Sequence, residues 1–144
     1  MRLIDVPKFG LDGLVMRDAR VVKVNDGDTI TVVHHMGTFR DLRLVNVRVL
    51  DIDAPEMKGA SRKRGLEARE HLLRVIGAPV DPADKRAPEF FEANDVRVDV
   101  HCGRFDCFGR VLGDVFVDGE SIKEALLQNP LFKIYTKNKS DHQQ

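Results

Sequence analysis

The order of β-rich and helical segments limits this chain of 144 residues to few folds. Three β-rich runs come first, then a segment with helical periodicity, then two more β-rich runs and a second helix. The predicted elements lie at about residues 15–25, 29–35, 39–51, 62–76, 96–100 and 108–117, with a last helix that starts at a capping box of Ser121 and Glu124 and stops before Pro130. The order β-β-β-α-β-β-α predicts a mainly β (α+β) domain, a five-stranded OB-fold barrel with two helices.

Length and composition fit one domain with no overall charge. A chain of this length supports one hydrophobic core, and we assign the domain to residues 14–136, with loosely ordered termini at 1–13 and 137–144. Residues 77–94 hold three of the six prolines and are predicted to form a surface insertion. Because 23 basic residues balance 23 acidic ones, any binding of nucleic acid must depend on a local basic patch.

The sequence predicts a cytoplasmic protein that does not contact a membrane. Cys102 and Cys107 could bridge the arms of a hairpin, but two reduced thiols are the favoured interpretation. The N-terminal residues lack the basic and then apolar layout of a signal peptide. No run approaches the roughly 18 apolar residues of a membrane span. We expect a monomer.

A possible functional site starts at the Asp26-Gly27-Asp28 turn between the first two predicted strands. An Asp-Gly pair between β-rich runs is a strong hairpin signal, and the glycine is expected to supply the positive φ of a tight turn. A turn does not require a carboxylate on both sides of the glycine. The second carboxylate therefore suggests a further role, such as binding a metal.

Two further clusters combine acidic residues with arginine. The third predicted strand ends in Arg48-Val49-Leu50-Asp51-Ile52-Asp53-Ala54-Pro55-Glu56, and the last β-rich run follows Asp106-Cys107-Phe108-Gly109-Arg110. Strand alternation places Arg48 and Asp53 on opposite faces, so they can share a site only if the chain bends before Pro55. Taken alone, each cluster is more often structural than catalytic, for example a turn with a solvated arginine.

Together the clusters indicate phosphodiester chemistry. Carboxylates without thiolate or histidine partners suit a hard cation such as Ca²⁺ or Mg²⁺. Paired arginines suit a phosphate, because guanidinium presents a planar fork of donors. A nearby glutamate can orient or deprotonate water. These parts are the ingredients of in-line hydrolysis, in which charge on the transferring phosphorus must be stabilised.

The chain resembles the staphylococcal nuclease (thermonuclease) family over about residues 18–130. The matching motifs, in order, are Asp26-Gly27-Asp28-Thr29, Arg48-(x4)-Asp53-Ala54-Pro55-Glu56, Asp106-x-x-Gly109-Arg110, Asp118-Gly119 and Glu124-Ala125-Leu126. The resemblance implies an OB-fold, Ca²⁺-dependent endonuclease that acts on DNA and RNA. It also leaves open that Mg²⁺ replaces Ca²⁺.

The resemblance also implies roles for individual residues. Asp28, Asp53 and the backbone carbonyl of Ala54 would bind Ca²⁺, and Asp26 would support the metal without contacting it. Glu56 would act on the attacking water, and Arg48 and Arg110 would bind the scissile phosphate.

The substrate side departs from the family pattern. Cys107 and Phe108 stand where members typically carry Lys-Tyr, so Phe108 keeps an aromatic face but loses the hydroxyl and the cation. Tyr135 is the one tyrosine of the chain and is expected near the nucleotide. Lys63 and Arg64 could steer the substrate, although the solvated first turn of a helix explains them equally well.

An alternative function is an OB-fold module that binds nucleic acid without cutting it. A degenerate module would be expected to have lost some of Asp28, Arg48, Asp53, Glu56 and Arg110. All five are present, which favours catalysis.

Overall fold

The computed structural model describes residues 13–36, 41–78 and 96–135. The predicted N-terminal lead-in up to residue 12, the insertion from position 79 to 94 and the tail beyond Tyr135 lie outside these residues. The elements are β1 (Val15–Asp26), β2 (Thr29–Met36), β3 (Asp41–Val49), β4 (Ile52–Asp53), a 3₁₀ turn (Gly59–Ser61), α1 (Arg62–Val75), β5 (Arg97–Phe105), β6 (Val111–Val117), β7 (Glu120–Ser121), α2 (Lys123–Leu127) and β8 (Lys133–Ile134).

Five long strands close into a barrel, which confirms the predicted OB-fold class. The strand order is β3-β2-β1-β5-β6, with antiparallel pairs throughout, and β7 is paired to the outer side of β6. A parallel pairing of β3 with β6, in which Val47 lies opposite Val111, joins the two ends of the sheet. The closure removes both free edges along the paired stretch and encloses one core.

The core is made of small aliphatic side chains from alternating strand positions, covered at one end by α1. β-branched residues dominate because they pack well on a pleated surface. The largest fully buried side chains are Val21, Val24, Ile30, Val32, Val47, Val49, Ile52, Leu72, Val100, Val115 and Leu126. None of the helices in the described ranges is long and apolar enough to span a membrane.

The start of α2 differs from the prediction. Ser121 lies in the short strand β7, and its hydroxyl donates a 2.6 Å hydrogen bond to the carboxylate of Asp114. The oxygen of the same hydroxyl accepts a 3.4 Å hydrogen bond from the amide of Lys123, the residue at which α2 begins. Ser121 therefore satisfies an amide at the start of α2, as a cap does, but this amide is that of Lys123 and not that of Glu124 as in the predicted capping box.

Candidate active site

The Asp26-Gly27-Asp28 turn connects β1 to β2 and packs under α1. The backbone φ of Gly27 is not positive, so the expected reason for this glycine was wrong. A Cβ at Gly27 would lie 2.8 Å from the Cβ of Ala68 and 2.9 Å from that of Ala54. Glycine is needed here because two other segments approach the turn closely.

Asp28 points into the protein, where two donors hold its carboxylate. Asp28 is 7% exposed, its Oδ1 accepts a 3.0 Å hydrogen bond from the Thr29 hydroxyl, and its Oδ2 accepts one of 3.1 Å from the amide of Ala54. The Asp28 amide in turn donates to Oδ1 of Asp26 at 3.2 Å. The turn thus places two carboxylates side by side in a partly buried position.

The surroundings of Asp26 perturb its titration. Burial raises the pKa of Asp26 to about 7, and the hydrogen bond and negative charge of Asp28 add to the effect. Two negative charges this close repel each other. A positive group nearby would offset this repulsion.

Arg48 supplies such a positive group, because the chain bends between β3 and Pro55. β3 ends at Val49, and Asp51 turns the chain with a positive φ of 64° before β4 begins. One Nη atom of Arg48 then lies 3.3 Å from Oδ1 of Asp53 and 3.5 Å from Oδ2 of Asp28. The chain thus bends before Pro55, the condition under which Arg48 and Asp53 can share a site, and the guanidinium lies between two of the predicted metal ligands.

Arg110 is held by the hairpin that precedes it. Its Nε donates a 2.7 Å hydrogen bond to Oδ2 of Asp106, and its amide donates to Oδ1 of the same residue at 2.8 Å. Its Nη1 reaches the hydroxyl of Thr29 at 3.4 Å. Because the Thr29 hydroxyl also donates to Asp28, one buried side chain connects Arg110 to the acidic turn.

A cleft of about 240 Å³ opens beside the two arginines. Phe108 contributes to its wall, with the guanidinium of Arg110 5.3 Å from the ring centroid. Tyr135 contributes from the other end of the chain, with the guanidinium of Arg48 4.8 Å from its ring centroid. Each arginine therefore has an aromatic ring beside it.

A short second sheet brings Tyr135 to this place. β8 pairs with β4, with Lys133 opposite Asp53, and the amide of Tyr135 donates to the carbonyl of Asp51 at 2.8 Å. The sequence did not predict β4 or β8. Two-residue strands are too short to show alternation, and their pairing partners are far apart in the chain.

The remaining predicted residues lie outside the cleft. Glu56 is exposed on the loop after β4, and its carbonyl accepts a 2.8 Å hydrogen bond from the Ser61 hydroxyl. Lys63 and Arg64 are exposed on the first turn of α1. Among the described residues, none of these three lines the cleft.

Sequence reasoning missed three positioning residues. A Cβ at Gly65 would overlap the carbonyl oxygen of Glu56 and lie 2.8 Å from the Cα of Met57, so Gly65 lets α1 approach that loop. The spacing of Asp106 and Arg110 across a turn could have indicated their pairing. Thr29 and Arg110 are 81 positions apart in the chain, so no local pattern indicates that the Thr29 hydroxyl joins Arg110 to Asp28.

The residues around Asp28 and Asp53 fit a cation. A positively charged nitrogen already lies between the two carboxylates, and all donors there are hard oxygens of the kind Ca²⁺ and Mg²⁺ prefer. Over the described ranges, no three histidine, cysteine or acidic side chains gather as a metal cluster. A cation would therefore have two carboxylates and take its other oxygens from backbone, water or a ligand.

Comparison with known proteins gives the same assignment as the motifs. The family described as Staphylococcal nuclease homologue matches residues 46–144. The chain is 30% identical over 118 residues to the SPbeta prophage-derived endonuclease YokF of Bacillus subtilis (strain 168), covering 81% of this chain and 34% of that protein. It is also 30% identical over 110 residues to Endonuclease YncB of the same organism, covering 76% of this chain and 44% of that one. The chain thus aligns with less than half the length of these relatives, and it belongs to the staphylococcal nuclease homologue family.

Proposed function

We propose that this protein is a Ca²⁺-dependent endonuclease that hydrolyses phosphodiester bonds of DNA or RNA by in-line attack of water. The observation that carries the proposal is the placement of Arg48, which contacts Asp28 and Asp53 and lines the same cleft as Arg110. A paired acidic site and two guanidinium groups beside one cleft suit a phosphate with a bound cation. Two relatives of this chain are named endonucleases, which supports the same function.

Asp28 and Asp53 would hold the cation, with the carbonyl of Ala54 as a further ligand. Asp26 would support the site through its contact with the Asp28 amide. The bound cation would supply stabilisation of negative charge on the phosphate oxygens. Mg²⁺ could occupy the site as well, since it needs one or two carboxylates and otherwise keeps its waters.

Arg48 and Arg110 would donate hydrogen bonds to the phosphate, whose negative charge increases toward the transition state. Arg110 is already restrained by Asp106, so its reorganisation on substrate binding is small. Arg48 now pairs with Asp53 and Asp28, and it would turn from these carboxylates to the phosphate when the cation takes its place. A preorganised donor stabilises developing charge better than one that must first be ordered.

Glu56 would take a proton from the attacking water or position it. The residue follows Asp53 by three positions, and its exposed side chain is open to solvent. The loop that carries it is tied down by Ser61 and by the close packing of Gly65. These contacts limit the movement of a general base relative to the acidic site.

Phe108 and Tyr135 would contact the nucleotide on either side of the two arginines. Phe108 is 78% exposed, which leaves its ring available to a base or sugar. Lys63 and Arg64, exposed on α1, would attract the remaining phosphates of a longer strand. This recognition does not require a base-specific contact, in agreement with action on either DNA or RNA.

The test is cleavage of single-stranded DNA, duplex DNA and RNA with Ca²⁺, with Mg²⁺ and with EGTA. We expect cleavage with Ca²⁺ and none with EGTA. Glu56→Ala should lower kcat by about 100-fold or more, as expected for the loss of a general base. Glu67→Ala is the matched control, because Glu67 is an exposed acid on α1.

Two outcomes would overturn the proposal. If the wild type binds DNA but cuts none of the substrates with either cation, the protein is a nucleic-acid-binding module. If Glu56→Ala and Glu67→Ala cleave equally well, Glu56 has no catalytic role.

A further inference from the structure

We propose that Arg104 and Phe105 form a binding subsite for the nucleotide next to the scissile phosphate. The inference rests on the proposed nuclease function and adds two contacts that the family motifs do not contain. Both residues line the cleft that also holds Arg48 and Arg110.

A bulge in β5 directly precedes these two residues, and both line the cleft. The register between β5 and β6 shifts between Cys102, opposite Gly113, and Arg104, opposite Leu112. Before the shift, β5 alternates between inward and outward residues, whereas Arg104 and Phe105 are both exposed. β-bulges bend a strand and occur often beside active sites.

Arg104 has a charge that no described acid neutralises. Arg110 is paired with Asp106, and Arg48 with Asp53 and Asp28. In the ranges that the structure covers, Arg104 takes part in no ion pair, and the other acid of the cleft, Asp51, is engaged by Lys123 at 3.3 Å. The cleft therefore has one arginine available for a further anion, and a neighbouring phosphate supplies one.

Phe105 offers an exposed aromatic ring close to that charge. It is 58% exposed, a large apolar side chain left in contact with water at the rim of the cleft. Alternating aromatic and cationic side chains are typical of sites that bind single strands, where bases stack on the rings.

The size of the cleft decides what it can hold. Its volume of about 240 Å³ lies below the range of roughly 300 to 1,000 Å³ typical for drug-sized ligands. A single unpaired nucleotide unit, with its phosphates on the arginines, therefore matches the cleft in size better than a duplex. Arg104 and Phe105 would then act on substrate affinity and leave the chemical step to Arg48, Arg110 and Glu56.

The test compares Arg104→Gln and Phe105→Ala with the wild type on a single-stranded oligonucleotide in Ca²⁺. Each variant should raise KM about tenfold with kcat nearly unchanged, since one stacked base or one phosphate contact is lost. Fluorescence anisotropy of the uncut oligonucleotide in EGTA should show the same loss of affinity. Arg43→Gln and Leu44→Ala on β3 are matched controls, because both residues are exposed outside the cleft.

The outcomes separate this inference from the proposed function. If the wild type cleaves but both cleft variants behave like the controls, the subsite is refuted and the nuclease function stands. If Arg104→Gln lowers kcat and leaves KM unchanged, Arg104 acts on the chemistry and the subsite is again refuted. If the wild type cleaves no substrate, the proposed function fails first. Thermal unfolding of every variant checks that these surface substitutions leave the fold intact.

Discussion

At the scale of single residues, Asp28 and Arg110 of the proposed site each have partners that restrain them. Asp106 accepts hydrogen bonds from both the amide and the guanidinium of Arg110, and Thr29 joins Arg110 to Asp28. Such contacts hold donors and acceptors in place before substrate arrives, which is the condition for electrostatic catalysis. A substitution at Asp106 should therefore disturb the position of Arg110.

Replacing Asp106 by Asn should lower stability in a pH-dependent way. Burial acts to raise the pKa of Asp106, but hydrogen bonds from Arg110 and Phe108, with the charge of Arg110, lower it overall. The folded pKa then lies below the unfolded value of about 4. The stabilisation is present above that pH and is lost as the pH falls through the folded pKa.

Urea unfolding between pH 2 and 7 measures this effect. The wild type should be more stable than Asp106→Asn near pH 7, and the difference should shrink at the acid end. If the difference in free energy of unfolding stays constant from pH 2 to pH 7, the stabilisation by Asp106 does not come from its charge. We also expect kcat/KM to fall about tenfold at neutral pH, because small misplacement of a phosphate-binding group is costly.

At the scale of elements, helix α1 works as a support for the two acidic loops. Ala68 of α1 packs against Gly27, and Gly65 packs against the backbone at Glu56 and Met57. Both contacts are possible because a glycine removes a Cβ at the point of closest approach. The helix thus determines how the Asp28 turn and the Glu56 loop lie relative to each other.

Replacing Gly65 by Ala tests this support. Alanine is favoured over glycine within a helix by about 1 kcal/mol, so propensity alone predicts stabilisation. The clash with the backbone of Glu56 and Met57 should instead lower the free energy of unfolding by about 1 to 3 kcal/mol. Cleavage activity should fall as well, because the Glu56 loop must move.

Arg64→Ala is the control, since it is the adjacent exposed position of the same helix. Urea unfolding of the two variants and the wild type gives the comparison. A Gly65→Ala protein more stable than the wild type would show that the contact is loose.

At the scale of the whole molecule, charge neutrality makes recognition local. The 23 basic and 23 acidic residues cancel, so a substrate is attracted only where cations gather. Lys63 and Arg64 on α1 are one such place and the cleft is another. Affinity for nucleic acid should therefore respond to a few basic residues and be modest in its dependence on salt.

Replacing Lys63 and Arg64 by Ser together should flatten the salt dependence of DNA binding. Each phosphate contact contributes about −0.7 to the slope of log K against log salt for a single strand, so losing two contacts reduces the slope by about 1.4. Anisotropy titrations in EGTA at several salt concentrations measure it. The control replaces Arg43 and Arg74 by Ser, which changes the net charge by the same amount and should leave the slope unchanged. If the slope is also unchanged when Lys63 and Arg64 are replaced, these two residues do not contact phosphates.

The sequence by itself determined the order of the main elements and the barrel class, and it named the candidate site residues. Hydrophobic periodicity and short motifs are local, so they can be recognised without knowing which segments meet. The bend that joins Arg48 to Asp53 could be anticipated for the same reason, because Pro55 follows within a few residues.

The tertiary structure alone decided how these parts are joined. Gly27 is a packing glycine because α1 lies over it, and the hydroxyl of Ser121 donates to Asp114 of β6 while it accepts from the amide of Lys123. Tyr135 reaches Arg48 because β8 pairs with β4. Each of these contacts joins segments that the local pattern treats separately, and the energy that selects one contact over another comes from burial and hydrogen bonding in the closed barrel.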